Sequence, residues 1–158
     1  MIRVQKGQRI FRSTEIISLE RDAQKNIWAA TGNGIFKYDA VKNESSLYLS
    51  SADPGHLNRF SKIYEAPSQP GILWLGSVSR TGLWRYDTKS GKHTTYNHLQ
   101  SNARSLVNDT IYSMFEDKEK RLWIGTKDGL SLMNRESGEI YQLSNGTIRC
   151  GCIAGYLS

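Results

Sequence analysis

Phe115-Glu116-Asp117-Lys118-Glu119-Lys120-Arg121-Leu122-Trp123-Ile124-Gly125-Thr126-Lys127-Asp128-Gly129-Leu130 decides the fold, because its centre occurs three times in the 158 residues. Trp123-Ile124-Gly125-Thr126 is matched by Trp28-Ala29-Ala30-Thr31 and Trp74-Leu75-Gly76-Ser77, so each tryptophan has a small residue at +2 and a hydroxyl at +3. The tryptophans stand 46 and 49 residues apart. Self-similarity at a period of 40–50 residues is the mark of a repeat architecture, in which no single unit can bury its own apolar faces.

Working outward, each copy passes through a polar turn to a glycine (Gly34, Gly82, Gly129) and an apolar residue (Ile35, Leu83, Leu130). Lys37-Tyr38-Asp39 and Arg85-Tyr86-Asp87 follow, with Leu132-Met133-Asn134 as the divergent third copy, and then an aromatic at Tyr48, Tyr96 or Tyr141. Upstream of each tryptophan lies a short alternating stretch: Ile17-Ser18-Leu19, Ser61-Lys62-Ile63 and Tyr112-Ser113-Met114. Period-two alternation bounded by turn formers predicts strands. Each copy therefore holds four, near 15–20, 27–31, 34–38 and 45–49, then 60–65, 72–77, 82–86 and 93–97, then 110–115, 121–126, 129–133 and 139–143. A four-stranded antiparallel repeat of this length predicts an all-β propeller of about three blades, a partial propeller. The blades run 15–50, 51–98 and 99–143, with a lead-in at 1–14 and a divergent tail at 144–158. The tryptophans pack between blades, the small residue at +2 lets a neighbour approach, and the glycine before the third strand suits positive φ.

Composition bounds the function. The net charge of +6 comes from 21 Lys and Arg, scattered singly without a basic run, which predicts a solvated surface and no nucleic-acid partner. No apolar run approaches membrane-spanning length, and residues 1–11 lack the apolar core of a secretory leader, so the chain itself is expected to make no membrane contact and any export signal to lie outside it. Cys150 and Cys152 are separated by one glycine, and His56, His93 and His98 show no companion spacing for a metal; unpaired thiols, no metal and no cofactor are expected.

The run around Trp123, with Ser105-Leu106-Val107-Asn108-Asp109 ahead of it, resembles the two-component regulator propeller repeat, and residues 10–143 follow the pattern in variant form. The resemblance implies blades of a seven-bladed sensor in the periplasmic half of a hybrid histidine kinase, associated with polysaccharide breakdown products. Seven blades need roughly 330 residues, so this chain supplies under half of such a ring. The function implied is non-catalytic sensing of a glycan or oligosaccharide in the full-length context, with other blades or a second copy as protein partners. Two alternatives stand beside it: an interaction scaffold assembled from partial propellers, and a piece of an enzyme propeller such as a quinoprotein, which Thr88-Lys89-Ser90-Gly91-Lys92 resembles.

Residues that repeat are read as structural: Trp28, Trp74, Trp123, Gly34, Gly82 and Gly129, together with the hydroxyls Thr31, Ser77 and Thr126. Residues that break the repeat on loops are the candidates for ligand contact. Loops between the second and third strands and those between blades emerge on one face, which gathers Asn33, Arg80, Lys127 and Asp128 with Asp53, His56, Asn58, Arg59, Asn102, Arg104 and Asn108. Arg and Asn there suit sugar hydroxyls or uronic carboxylates. Trp84, where the other copies have Phe36 and Ser131, is a candidate exposed aromatic or interface anchor.

Overall fold

The computed structural model describes residues 15–32, 34–50, 60–144 and 147–148, and these form three antiparallel sheets. The first blade comprises β1 (Ile16–Arg21), β2 (Ile27–Thr31), β3 (Gly34–Asp39) and β4 (Glu44–Ser50). The second comprises β5 (Phe60–Glu65), β6 (Ile72–Ser77), β7 (Leu83–Asp87) and β8 (His93–Tyr96). The third comprises β9 (Ile111–Glu116), β10 (Leu122–Thr126), β11 (Gly129–Met133) and β12 (Ile140–Ser144). Every strand boundary falls within one residue of the position its alternation predicts. Thr147–Ile148 (β13) folds back on β12 and gives the third sheet a fifth strand, which the reading of 144–158 as a divergent tail did not place.

Consecutive strands pair in each blade, and β5 packs against both β1 and β9, so the first strands lie side by side at the inner edge. Strand pairing sorts side chains into two faces per blade. One face carries the tryptophan row, Glu20–Trp28–Lys37–Ser46, Tyr64–Trp74–Arg85–Thr94 or Phe115–Trp123–Leu132–Tyr141. In the first two blades that face meets the back of the next. Trp28 packs with Ile63, Leu75 and Trp84 of the second blade, and Trp74 with Ile111, Met114 and Ile124 of the third. Both indoles are fully buried, and truncating such a residue to alanine costs about 3–5 kcal/mol.

Close approach explains the small residue after Trp74. A Cβ on Gly76 would come within 2.7–2.8 Å of the Ile111 side chain across the joint between the second and third blades. Gly82 has φ of +75° and lies against the Tyr96 carbonyl and the Asn97 amide; Gly34 and Gly129 also have positive φ. The hydroxyls close local turns: Thr31 Oγ1 donates to the Gly34 carbonyl at 3.0 Å, Thr126 Oγ1 to that of Gly129 at 2.7 Å, and Ser77 Oγ accepts from Ser79 N–H at 2.9 Å.

Trp84 is not an exposed aromatic. It is 4% exposed, meets Phe60 edge-on at 5.4 Å and stacks on the His93 ring at 4.3 Å within its own blade, and it shares a buried cluster with Trp28, Ala30 and Ile35 of the first, so it anchors the joint between the two.

Side chains, not backbone ladders, join the inner strands. Ile63 N–H donates to Ser18 Oγ at 3.3 Å, Glu65 N–H to Glu20 Oε1 at 3.4 Å and Glu116 N–H to the Tyr64 hydroxyl at 3.0 Å, while Ser61 Oγ donates to the Ile111 carbonyl at 2.6 Å. At the outer edge Tyr48 bridges blades, meeting Trp28 edge-on at 4.8 Å and donating to the Thr88 carbonyl at 3.1 Å.

Candidate functional site

Two hollows lie on opposite faces of the blades. The larger, about 380 Å³, is lined by Ser68, Gln69, Glu119, Lys120, Arg121, Asn134, Arg135 and Glu136, from loops joining first to second and third to fourth strands. Both of its guanidinium groups are consumed within the protein. Arg121 pairs with Asp117 at 2.6 Å and Glu119 at 3.1 Å. Arg135 pairs with the buried Glu116 carboxylate at 2.6 Å, donates to Ser68 Oγ at 2.7 Å and reaches the Lys120 carbonyl. This hollow is a clamp between the second and third blades.

The second hollow, about 320 Å³, opens on the other face and is lined by Arg80, His98, Asn108, Asp109, Thr110, Lys127 and Asp128. Three loops build it: 78–82 between β6 and β7, 97–110 between the second and third blades, and 127–128 between β10 and β11. Long-range backbone bonds pin them together, Gly82 N–H to the Asp109 carbonyl at 3.2 Å and Lys127 N–H to that of Thr110 at 3.0 Å. A side chain on Gly82 would run into the Asn97 amide and the Asp109 carboxylate, so the turn fits only as glycine. The acids face inward on the protein's own donors: Asp109 Oδ1 accepts from His98 N–H at 2.5 Å and Asp128 Oδ2 from the Asn108 amide at 2.6 Å. His98 Nδ1 sits 2.6 Å from the Leu106 carbonyl, an acceptor only, so that nitrogen carries the proton and Nε2 is the one left for the hollow.

Of the positions picked out from sequence, the hollow brings together Arg80, Lys127, Asp128 and Asn108. Asn33, Asp53, His56, Asn58 and Arg59 lie outside the described residues. Asn102 and Arg104 are not in its lining. Asn102 Oδ1 closes its own turn on Arg104 N–H at 2.9 Å, and Arg104 reaches Glu139 at 3.2 Å. His98, Asp109 and Thr110 were missed; the available signal was the Asn108-Asp109 lead-in, which ties three loops at once. Among the described residues no three His, Cys, Asp or Glu side chains gather as a metal site requires, and no helix is long and apolar enough to cross a membrane.

Residues 105–128, which span the hollow's third-blade wall, match the family described as two component regulator propeller. The third blade thus carries that repeat. The chain is 26% identical over 98 residues to Histidine kinase P4 of Formosa agariphila, a stretch that is 60% of this chain and 6% of that protein. Its fold is similar to part of the crystallised extracellular domain of a hybrid two component system from B. thetaiotaomicron, with a TM-score of 0.70 and 19% identity over 85% of this chain and 19% of the other. It also resembles virginiamycin B lyase from Staphylococcus aureus, with a TM-score of 0.63 and 12% identity over 85% of this chain and 42% of the enzyme. The chain spans under a fifth of the length of the two two-component proteins named and under half of the lyase.

Proposed function

We propose that this chain is part of an extracellular or periplasmic sensor propeller of a hybrid two-component regulator, and that it takes a polysaccharide-derived oligosaccharide into the hollow lined by Arg80, Asn108 and Lys127 without transforming it. The observation that carries this reading is the convergence of three irregular loops from two blades. They are held to one another by backbone bonds, so their polar side chains are presented on a rigid frame. The repeat in the third blade and the likeness to a histidine kinase support the signalling context. A binding role also fits the carboxylates, which are engaged by N–H donors and not set as an acid–base pair.

Calorimetric titration of the folded chain with a panel of oligosaccharides tests it. Saturable heat with at least one glycan, abolished by Asn108→Ala, is the expected result; a panel with no binding member overturns the reading.

A second reading, an interaction scaffold, draws on a different observation. Phe115 and Tyr112 are 63% and 58% exposed on the third blade, an apolar surface beside the half-buried Trp123.

A further inference from the structure

The charged groups of the loop hollow are asymmetric in how they are used. Each acid in its lining is engaged by an N–H of the protein: Asp109 holds the His98 amide and, at 3.5 Å, the Asn97 side chain, and Asp128 holds the Asn108 amide. The two permanent cations, Arg80 and Lys127, have no side-chain hydrogen bond or ion pair among the described residues. The opposite hollow shows the contrary arrangement, with both of its arginines spent on Asp117, Glu119 and Glu116. Arg80 is also held at φ of +62°, a left-handed conformation uncommon for a residue with a side chain, at the rim of a turn locked by Gly82.

We propose that the hollow is an anion site, and that on the oligosaccharide reading above its ligand is an acidic sugar, a uronate or a sulfated unit, whose negative group sits between Arg80 and Lys127. A planar guanidinium matches a carboxylate or sulfate with two parallel N–H bonds, and an ammonium adds a mobile point charge. His98 Nε2 and the second N–H of the Asn108 amide remain for the hydroxyls of the ring. Neutral sugars would leave both cations uncompensated on binding, which sets the selectivity.

The test uses the full chain, trigalacturonate, its fully methyl-esterified form and inorganic sulfate, read by calorimetry and by backbone amide shifts at Gly82, Asp109 and Lys127. Trigalacturonate should bind and shift these amides, the ester should bind at least about tenfold more weakly, and affinity should fall as salt is raised. Arg80→Ala and Lys127→Ala should each weaken binding about five- to tenfold, with Arg80→Lys recovering part of the loss. Lys118→Ala, an exposed cation away from the hollow, should leave affinity unchanged, and unaltered melting curves show that the variants fold. Equal affinity for acid and ester, or trigalacturonate binding that survives both alanine variants, overturns the anion site and leaves the oligosaccharide reading in place. Sulfate binding that depends on Arg80 and Lys127, with no saccharide bound, keeps the anion site and overturns the oligosaccharide reading.

Discussion

Asp22 and Asp117 each follow the first strand of a blade and do the same three things. The carboxylate accepts the backbone N–H four residues on (Asn26 at 2.7 Å, Arg121 at 2.9 Å), the side chain of that same residue, and the indole N–H of the blade tryptophan, at 2.8 Å for Trp28 and 2.7 Å for Trp123. Burial opposes ionisation of Asp117, but the indole, the Arg121 amide and the guanidinium outweigh it and hold its carboxyl below the ordinary 3.8. In the second blade Ala66 takes this place, fully buried, and the Trp74 indole N–H has no partner among the described residues. Burying an unpaired donor costs about 1–3 kcal/mol. Trp28→Phe, which takes one of three hydrogen bonds from a buried carboxylate, should therefore destabilise more than Trp74→Phe, which deletes a donor without a partner among the described residues. A gap of about 1 kcal/mol is expected from urea unfolding, and equal losses would contradict this account. The Asp-turn-Leu-Trp run that marks the third copy in the sequence is thus a hydrogen-bonding device, and the second copy, which lacks it, has a loop from Ala66 to Trp74 two residues longer that carries Pro67 and Pro70.

At the scale of elements, the turns between third and fourth strands carry one more carboxylate each, with a telling exception. Asp39 Oδ1 accepts from Val41 and Lys42 N–H, Asp87 Oδ1 from Lys89 and Ser90 N–H, and Asn134 Oδ1 does the same for Glu136 and Ser137. Asn134 looked like divergence in the sequence, yet an amide oxygen closes the same turn. The amide of Ser90 holds Asp87, and that of Lys42 holds Asp39, below the ordinary 3.8. Groups depressed on folding contribute stability above their unfolded value and lose it as pH falls through the lower folded one. Melting temperature should thus fall below about pH 4, where carboxylates of ordinary pKa take up protons, less steeply in Asp87→Asn and more steeply in Asn134→Asp; superimposable acid limbs would refute this. Strand positions were legible because alternation and turn formers are local. The hollow was legible in part: Arg80, Asn108, Lys127 and Asp128 were read onto its face, whereas His98, Asp109 and Thr110 are brought to it by the folding of a loop that leaves the outer strand of one blade and returns to the inner strand of the next. The same path carries Arg104 to Glu139, which loop membership alone could not reveal.

For the whole molecule, the repeated joint has a consequence at the third blade. Rows equivalent to Phe115–Trp123–Leu132–Tyr141 are buried under a following blade at Trp28 and Trp74, whereas Phe115 stands open to solvent and Trp123 is half-buried. The purified chain should self-associate through this surface. Light scattering is expected to show dimers or larger species that Phe115→Lys returns to monomers, and a wild-type monomer at high concentration would be the contrary result. The kind of assembly is set by the serines, glutamate and tyrosine on the inner strands. A bare sheet edge is a template onto which a foreign strand can dock, the route to fibrils. On β5 and β9, amides at Ile63, Glu65 and Glu116 and the carbonyl of Ile111 are already taken by Ser18, Glu20, Tyr64 and Ser61. Recruitment along those two inner edges is hindered, whereas face-to-face stacking of whole blades is a mode of growth that a ring can bring to an end.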